Sequence, residues 1–327
     1  MYKSKSLFLM MTVTGTILTI SSNNWMSMWM GLELNMLSFI PLISNKSSKS
    51  KSEASMIYFL TQSLASMILM FSILMMMYNN EMNKLWQNLL MTSLMIKLGA
   101  APFHMWMPEM MASMGWNSCI MLMTWQKLAP LMMLMNSQIN NKIWFMASIM
   151  STVIGAIGGL NQTSLRKLMS YSSINHLGWI LAMNKVQNNW MSYWSIYSIM
   201  TIMVCMSFNN MNVLFLNQIN NIHMTMTEKL SYVMSMLSIG GLPPFLGFIP
   251  KWIAIQSLIN DKMFTLILVM IIMSMITLFF YMRTMVGMIL IHSMMNKWQV
   301  YNKSSSLCFM IILLNFSLPV IFIMNLT

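Results

Sequence analysis

Apolar stretches of about twenty residues follow one another along nearly the whole chain, separated by short polar connections. Such a stretch crosses a bilayer as an α-helix, because backbone polar groups in lipid must form hydrogen bonds within the segment. With 57% hydrophobic and 7% charged residues, the chain has the composition of a membrane protein. We therefore predict an all-α polytopic membrane protein, with residues 1–327 in a single transmembrane domain. About eleven transmembrane helices are predicted, at residues 7–20, 25–43, 54–78, 85–107, 117–135, 143–160, 168–183, 190–208, 230–259, 263–291 and 307–324.

Two of these spans share one spacing of glycine, proline and phenylalanine. Because proline removes a backbone donor and the ninth span is too long for a straight crossing, we predict that both helices are discontinuous. The breaks are five spans apart, and an odd offset reverses the orientation in the membrane. This predicts an inverted repeat of approximately residues 6–136 and 143–291, with an extra C-terminal helix at 307–324, which is typical of ion-coupled transport proteins. The matching residues are Gly99, Pro102, Phe103 and Pro108 in span four, and Gly241, Pro244, Phe245 and Pro250 in span nine.

Basic residues outnumber acidic ones by 18 to 6, which gives a formal charge of +12. Most of the bases lie between spans, where they indicate membrane topology rather than a nucleic-acid surface. The first apolar run lacks a small-residue cleavage site, so a retained span is favoured over a signal peptide. With the amino terminus on the positive side, ten bases fall on that side and four on the other, and the carboxyl terminus falls on the opposite side. The ten are Lys3, Lys5, Lys46, Lys49, Lys51, Arg166, Lys167, Lys229, Lys297 and Lys303, and the four are Lys84, Lys142, Lys185 and Lys262.

Four charged side chains fall deep inside predicted spans: Glu33, Lys97, Lys127 and Lys251. An ionisable residue at the bilayer centre costs about 2.5 to 3.5 kcal/mol, so these residues are expected to be functional. A desolvated lysine can exchange its proton near neutral pH, and a nearby carboxylate can control that exchange. Glu33 is the only acid near mid-membrane, and Lys97 is its natural partner. We predict a proton relay; the alternative is a static ion pair between spans two and four.

Two histidines are candidates for a secondary role in this relay. His104 follows the proline of the first predicted break, where water would enter, and His176 lies midway along span seven. Histidine titrates near neutral pH and can connect lysines that are too far apart for direct transfer; the alternative for each is a hydrogen-bonded packing residue. Arg283, deep in span ten, does not deprotonate in proteins and is predicted to be an anchor. His223 and His292 lie in polar connections, where we expect them to be solvated.

The sequence offers no motif for a bound cofactor. Cys119, Cys205 and Cys308 are dispersed in apolar segments, without the spacing of a metal site or a disulfide framework. A dinucleotide-binding glycine motif, a P-loop and paired axial histidines are also absent from the sequence. We therefore expect this chain to move charge without holding a redox centre, a cofactor or a metal.

Several long motifs, including LGAAPFHMW at 98–106, resemble the NADH dehydrogenase subunit 2 family of mitochondrial respiratory complex I. The resemblance covers nearly the whole chain and is to the animal form with eleven helices, which lacks the first three helices of bacterial relatives. It implies an antiporter-like membrane-arm subunit that couples quinone reduction elsewhere to proton transfer across the mitochondrial inner membrane, with the N-terminus on the matrix side and the C-terminus on the intermembrane-space side. The other matching motifs are at 123–130, 158–167, 172–179 and 240–252.

The resemblance also implies residue roles and partners. Glu33 would be the helix-two carboxylate, Lys97 its partner lysine, Lys127 the central lysine and Lys251 the lysine of the second broken helix. His104 and His176 match positions that bridge the hydrophilic axis. No cofactor is expected on this chain; NADH, FMN, iron–sulfur clusters and ubiquinone would be held by other subunits. The implied partners are other membrane-arm subunits of the complex, including a neighbouring antiporter-like subunit and small membrane subunits, together with phospholipids and no nucleic acid.

Two other functions are compatible with parts of the sequence. A free-standing cation/proton antiporter would share the inverted repeat, but it would be expected to hold an aspartate pair or a similar cation ligand in the membrane. Asp261 is the only aspartate, and it lies at a span end. A structural scaffold with inert charged residues is the third possibility.

Overall fold

The computed structural model describes residues 2–44, 48–78, 84–137, 141–183, 190–220, 225–290 and 305–317. Within these ranges the chain is helical and contains no β-strand, apart from one isolated bridge between Ser164 and Phe215. The prediction of an all-α fold is therefore confirmed. Several residues used above lie outside the described residues: Lys46, Lys185, Lys297, Lys303, His223 and His292, together with the end of the predicted eleventh span.

The chain divides into two compact units, Met1–Ser151 and Thr152–Thr327. Helices α1 to α7 lie in the first unit, α8 continues into the second, and the remaining helices belong to the second. The helices are α1 (Tyr2–Ser21), α2 (Trp25–Ile43), α3 (Lys49–Tyr78), α4 (Lys84–Leu98), α5 (Trp106–Ser113), α6 (Trp116–Met123), α7 (Trp125–Asn136), α8 (Asn141–Gly159), α9 (Leu165–Met183), α10 (Trp190–Met211), α11 (Leu216–Asn220), α12 (Met226–Gly240), α13 (Phe248–Asn260), α14 (Phe264–Leu290) and α15 (Ser305–Asn315).

Long apolar helices dominate both units. Among the described residues, five segments are long and apolar enough to cross a membrane by themselves, and the predicted total of eleven stays a prediction. Many large apolar side chains on these helices face outward, as expected for a surface in contact with lipid. The five segments are Trp25–Ile43, Lys49–Tyr78, Trp116–Asn136, Trp190–Met211 and Phe264–Gly287.

Two glycines bring α1 and α2 into backbone contact. A Cβ on Gly15 would lie 2.9 Å from the carbonyl oxygen of Gly31, and a Cβ on Gly31 would lie 2.8 Å from the carbonyl oxygen of Gly15. Small residues allow such close approach between membrane helices, where packing contacts replace the hydrophobic effect as the main attraction. The contact fixes α2, the helix that carries Glu33, against α1.

The first interruption separates α4 from α5. Gly99 follows α4 with φ 69°, a backbone conformation that favours glycine, and the peptide bond from Ala101 to Pro102 is cis. The indole Nε1 of Trp106 then donates a hydrogen bond to the carbonyl oxygen of Ile96 at 3.1 Å. The first residue of α5 thus satisfies a backbone acceptor near the end of α4, where helix carbonyls lack partners within the helix.

The second interruption separates α12 from α13. Helix α12 begins with a capping box, in which the Thr225 side chain accepts from the backbone of Glu228 and the Glu228 side chain accepts from the backbone of Thr225. It ends at Gly241, whose φ of 77° closes the helix in the left-handed region. Gly247 then packs against the backbone of Ser238, so the chain returns to the end of α12 before α13 begins.

A third interruption, at Thr124 between α6 and α7, was not predicted. Its hydroxyl donates to the carbonyl oxygen of Ile120 at 2.7 Å, and its backbone adopts φ −107° and ψ −74°. Threonine can bond to the carbonyl four residues earlier without leaving a helix, so its presence in the sequence does not signal a break.

Arg283 on α14 anchors the end of α8 in the second unit. Its guanidinium donates to the carbonyl oxygen of Leu160 at 2.5 Å and to that of Gln162 at 2.7 Å. A cation at a helix C-terminus is favourable because the last carbonyls carry partial negative charge. The arginine therefore holds backbone rather than a carboxylate.

Candidate functional site in the membrane helices

The first part of the site is an ion pair between α2 and α4. Glu33 lies midway along α2, and Lys97 lies in the last turn of α4, immediately before the interruption at Gly99. Lys97 Nζ is 3.5 Å from Glu33 Oε1, and the Lys97 side chain is 3% exposed against 20% for Glu33. The lysine is thus enclosed while its carboxylate partner keeps some access to the surroundings. Gln62 on α3 adds a hydrogen bond from Nε2 to the Lys97 carbonyl oxygen at 3.4 Å.

A small polar cavity joins Lys97 to Lys127 in the same unit. Its volume of about 20 Å³ is enough for about one water molecule, which needs 10–15 Å³. Lys127 is buried in the first turn of α7, just after the interruption at Thr124. The structure therefore brings Glu33, Lys97 and Lys127 into one neighbourhood. The cavity is lined by the polar residues Asn35, Tyr58, Gln62, Lys97, Gln126 and Lys127 and by apolar side chains from the same helices.

Four of these cavity residues were missed as site residues by sequence reasoning: Asn35, Tyr58, Gln62 and Gln126. Tyr58 and Gln62 are four residues apart, so they lie on the same face of α3. That spacing of polar groups in an apolar helix was an available signal, and so was the position of Gln126 beside Lys127. The partners they choose were not readable, because the pairs are far apart in the sequence.

Lys251 occupies the corresponding place in the second unit, at the interruption between α12 and α13. Its Nζ donates to the carbonyl oxygen of Gly240 at 2.6 Å, so the ammonium lies at the C-terminal end of α12. The backbone makes room for it, because a Cβ on Gly241 would lie 2.7 Å from Nζ. A backbone carbonyl with the dipole of its helix thus faces this lysine, whereas a carboxylate faces Lys97.

The two histidines are both buried and both hydrogen-bonded. His104 Nδ1 lies 3.1 Å from the carbonyl oxygen of Pro102, which can only accept, so this contact requires a proton on Nδ1. His176 Nδ1 lies 2.9 Å from the hydroxyl oxygen of Tyr193, and its ring lies 4.9 Å from that of Tyr197. His176 also lines a cavity of about 10 Å³ with Pro250, the residue before Lys251.

Ligand sites of other kinds are not evident in the described ranges. Within them, no group of three histidine, cysteine, aspartate or glutamate side chains is arranged to hold a metal ion. Cys119, Cys205 and Cys308 are buried on α6, α10 and α15. The titratable groups described above are therefore the chemistry that this part of the chain offers.

Comparisons with known proteins agree with this arrangement. The family described as NADH:quinone oxidoreductase/Mrp antiporter, TM, matches residues 22–277. NADH-ubiquinone oxidoreductase chain 2 of Anopheles gambiae is 46% identical over 92% of this chain and 90% of its own length, and that of Locusta migratoria is 44% identical over 93% and 90%. A chain of respiratory complex I from Thermus thermophilus superposes with a TM-score of 0.83 at 19% identity, covering 97% of this chain and 79% of that one. A chain of the archaeal membrane-bound sulfane sulfur reductase gives 0.84 at 15%, covering 96% and 72%.

Proposed function

This chain belongs to the NADH-ubiquinone oxidoreductase chain 2 family, and from this premise we propose its function and its proton path. It is an antiporter-like core subunit of complex I, the H⁺-translocating NADH:ubiquinone oxidoreductase. It works in the mitochondrial inner membrane, with other membrane-arm subunits. Quinone reduction elsewhere in the complex drives proton transfer through this chain.

Protons pass along Glu33, Lys97, Lys127 and Lys251, with His104 and His176 as secondary groups. The observation that carries this proposal is the cavity shared by Lys97 and Lys127, with Glu33 3.5 Å from the first of them. In the relay, movement of charge at Glu33 switches Lys97 between holding and releasing its proton. One charge crossing a potential of 100 mV gains or loses about 2.3 kcal/mol, which is within the range that burial and ion pairing exert on an ammonium group.

The proposed topology has eleven crossings. Two discontinuous helices, at the interruptions after Gly99 and Gly241, belong to an inverted repeat of residues 6–136 and 143–291, and the helix at 307–324 is additional. Its support is that each compact unit has one helix that stops at a glycine with positive φ and resumes after a proline-containing turn. We place the N-terminus on the matrix side and the C-terminus on the intermembrane-space side, from the asymmetry of the basic residues.

No cofactor is assigned to this chain in the proposal. NADH, FMN, the iron–sulfur clusters and ubiquinone belong to other subunits, and the described part of this chain supplies proton-exchanging side chains. The proposed partners are a neighbouring antiporter-like subunit, small membrane subunits of the same arm and phospholipids. Outward-facing apolar side chains on helices such as α3 and α14 are compatible with both lipid and protein neighbours.

Glu33→Gln tests the ion pair directly. Glutamine keeps the shape of the side chain and removes the charge whose movement is proposed to control Lys97. We expect proton translocation by the assembled complex to fall by about tenfold or more, which is the effect of losing about 1.4 kcal/mol from the limiting step. The measurement is proton uptake and NADH oxidation by the purified complex in liposomes. Glu53→Gln, which removes an exposed carboxylate at the start of α3, is the matched control. Equal rates for the two variants would contradict the relay.

A free-standing cation/proton antiporter is the rival function, and purification separates the two. We expect the native chain, extracted in mild detergent, to migrate with NADH:ubiquinone reductase activity in one large assembly. Recovery of the chain alone, with sodium-dependent proton exchange after reconstitution, would favour the antiporter.

A further inference from the structure

A short chain of hydrogen bonds crosses the first unit beside the two lysines. Gln126 on α7 donates from Nε2 to Oδ1 of Asn35 on α2 at 2.9 Å, and its Oε1 accepts from the hydroxyl of Tyr58 on α3 at 3.3 Å. The glutamine amide is therefore used at both ends, and three helices are joined through it. Asn35 and Tyr58 are both buried, so these contacts form in a region where polar groups are costly without partners.

The same three residues line the cavity that Lys97 and Lys127 share. Gln126 is the residue immediately before Lys127, and Asn35 is two residues after Glu33. Residues two apart on a helix do not face the same way, so α2 directs Glu33 to α4 and Asn35 to α7. The hydrogen-bonded chain thus links the helix of the carboxylate to the helix of the central lysine.

The ring of Tyr58 is held independently of its hydroxyl. Its centroid lies 5.2 Å from that of Phe39 in an edge-on arrangement and 6.2 Å from that of Trp106. The hydroxyl is therefore aimed at Gln126 by a fixed ring, and Asn35 fixes the other end of the amide. An amide held in this way has one orientation, since reversing it would place oxygen against oxygen at Asn35 and nitrogen against the donor hydroxyl of Tyr58.

We propose that Gln126 is a positioning residue for proton transfer between Lys97 and Lys127. Its amide, oriented by Asn35 and Tyr58, sets the direction of the hydrogen-bonding groups in the cavity that the two lysines share. Amides and phenols do not carry the transferred proton at neutral pH, so these residues orient the transfer without taking part in it. The inference rests on the proposed function and adds that the rate depends on the polarity of residue 126 and not only on its volume.

A packing role is the alternative explanation of Gln126. It predicts that methionine, an unbranched side chain of similar length which this chain uses 50 times, would serve equally well. The two explanations differ for Gln126→Met and for Tyr58→Phe, because both variants keep the packing volume and remove the hydrogen bonds.

The test uses complex I assembled with the variant chain and reconstituted in liposomes. We expect Gln126→Met and Tyr58→Phe each to lower coupled proton translocation by about threefold to tenfold, the range for losing one or two ordinary hydrogen bonds in the limiting step. The ratio of rates in H₂O and D₂O should rise in both, because proton transfer becomes slower relative to other steps. The double variant should be no slower than Gln126→Met, since both changes break the same chain. Gln256→Met, at an exposed position on α13, controls for the substitution itself.

Rates within twofold of the parent complex, with an unchanged isotope ratio, would overturn the inference. If Gln126→Met fails to assemble, Tyr58→Phe decides, because it retains the ring contacts and removes one oxygen atom. Lys127→Met separates the inference from the function on which it rests. Loss of translocation in Lys127→Met with normal rates in Gln126→Met would refute the positioning role alone, whereas normal translocation in Lys127→Met would refute the relay and the inference together.

Discussion

Lys127→Met is expected to abolish proton translocation through this subunit while complex I still assembles. Lys127 is 3% exposed and lines the cavity shared with Lys97, so methionine fills nearly the same space without a group that can take up a proton. Replacing a buried charged side chain with an apolar one of similar volume is often neutral for stability, which separates function from folding at this position. The measurement is the number of protons moved per NADH oxidised by the reconstituted complex, with assembly checked on native gels.

Lys84→Met is the matched control, because Lys84 is an exposed lysine at the start of α4. We expect its proton-to-NADH ratio to equal that of the parent complex. Normal pumping by Lys127→Met in an assembled complex would show that the buried charges are inert and would favour the structural scaffold.

Gly247→Ala is expected to prevent accumulation of the assembled complex. A Cβ at this position would collide with the carbonyl group of Ser238, and a backbone atom cannot move aside as the end of a flexible side chain can. Overpacking of a well-packed interior costs about 1–3 kcal/mol, and here the cost falls on the turn that joins α12 to α13. The φ of Gly247 is −66°, so the effect comes from the collision and not from a backbone conformation reserved for glycine.

Native-gel quantification of complex I, with thermal unfolding of whatever assembles, measures this effect. Gly115→Ala is the control, since a Cβ on Gly115 would meet nothing within 4 Å and its φ is −80°. Equal amounts and equal stability of the two variants would mean that the chain can relax between α12 and α13, and that the tight contact with Ser238 is not required.

The helical fold and the places where α4 and α12 stop were predictable from the sequence for a definite reason. Glycine and proline restrict or free the backbone in ways that few other residues do, and Gly99 and Gly241 both adopt positive φ. The interruption at Thr124 has no such signal, because threonine is compatible with a continuous helix. Local sequence therefore shows a break only where the residue itself enforces it.

Charge was informative for the site, and neutral polarity was not. Glu33 and Lys97 were singled out because charges are costly in a membrane, and the structure places them 3.5 Å apart. Asn35, Tyr58 and Gln126 carry no charge, and their hydrogen bonds join residues 91 and 68 positions apart, so no local pattern reveals the pairing. The contact of Lys251 with the Gly240 carbonyl oxygen was equally hidden, because its acceptor is a backbone atom.

That contact has a mechanical consequence. The ammonium of Lys251 belongs to α13, and the oxygen that it binds belongs to the end of α12. Any sliding or rotation of one half-helix against the other alters the distance between this cation and the negative pole of the neighbouring helix. The paired half-helices can thus act as a lever whose displacement is converted into a change of electrostatic potential at a single nitrogen atom.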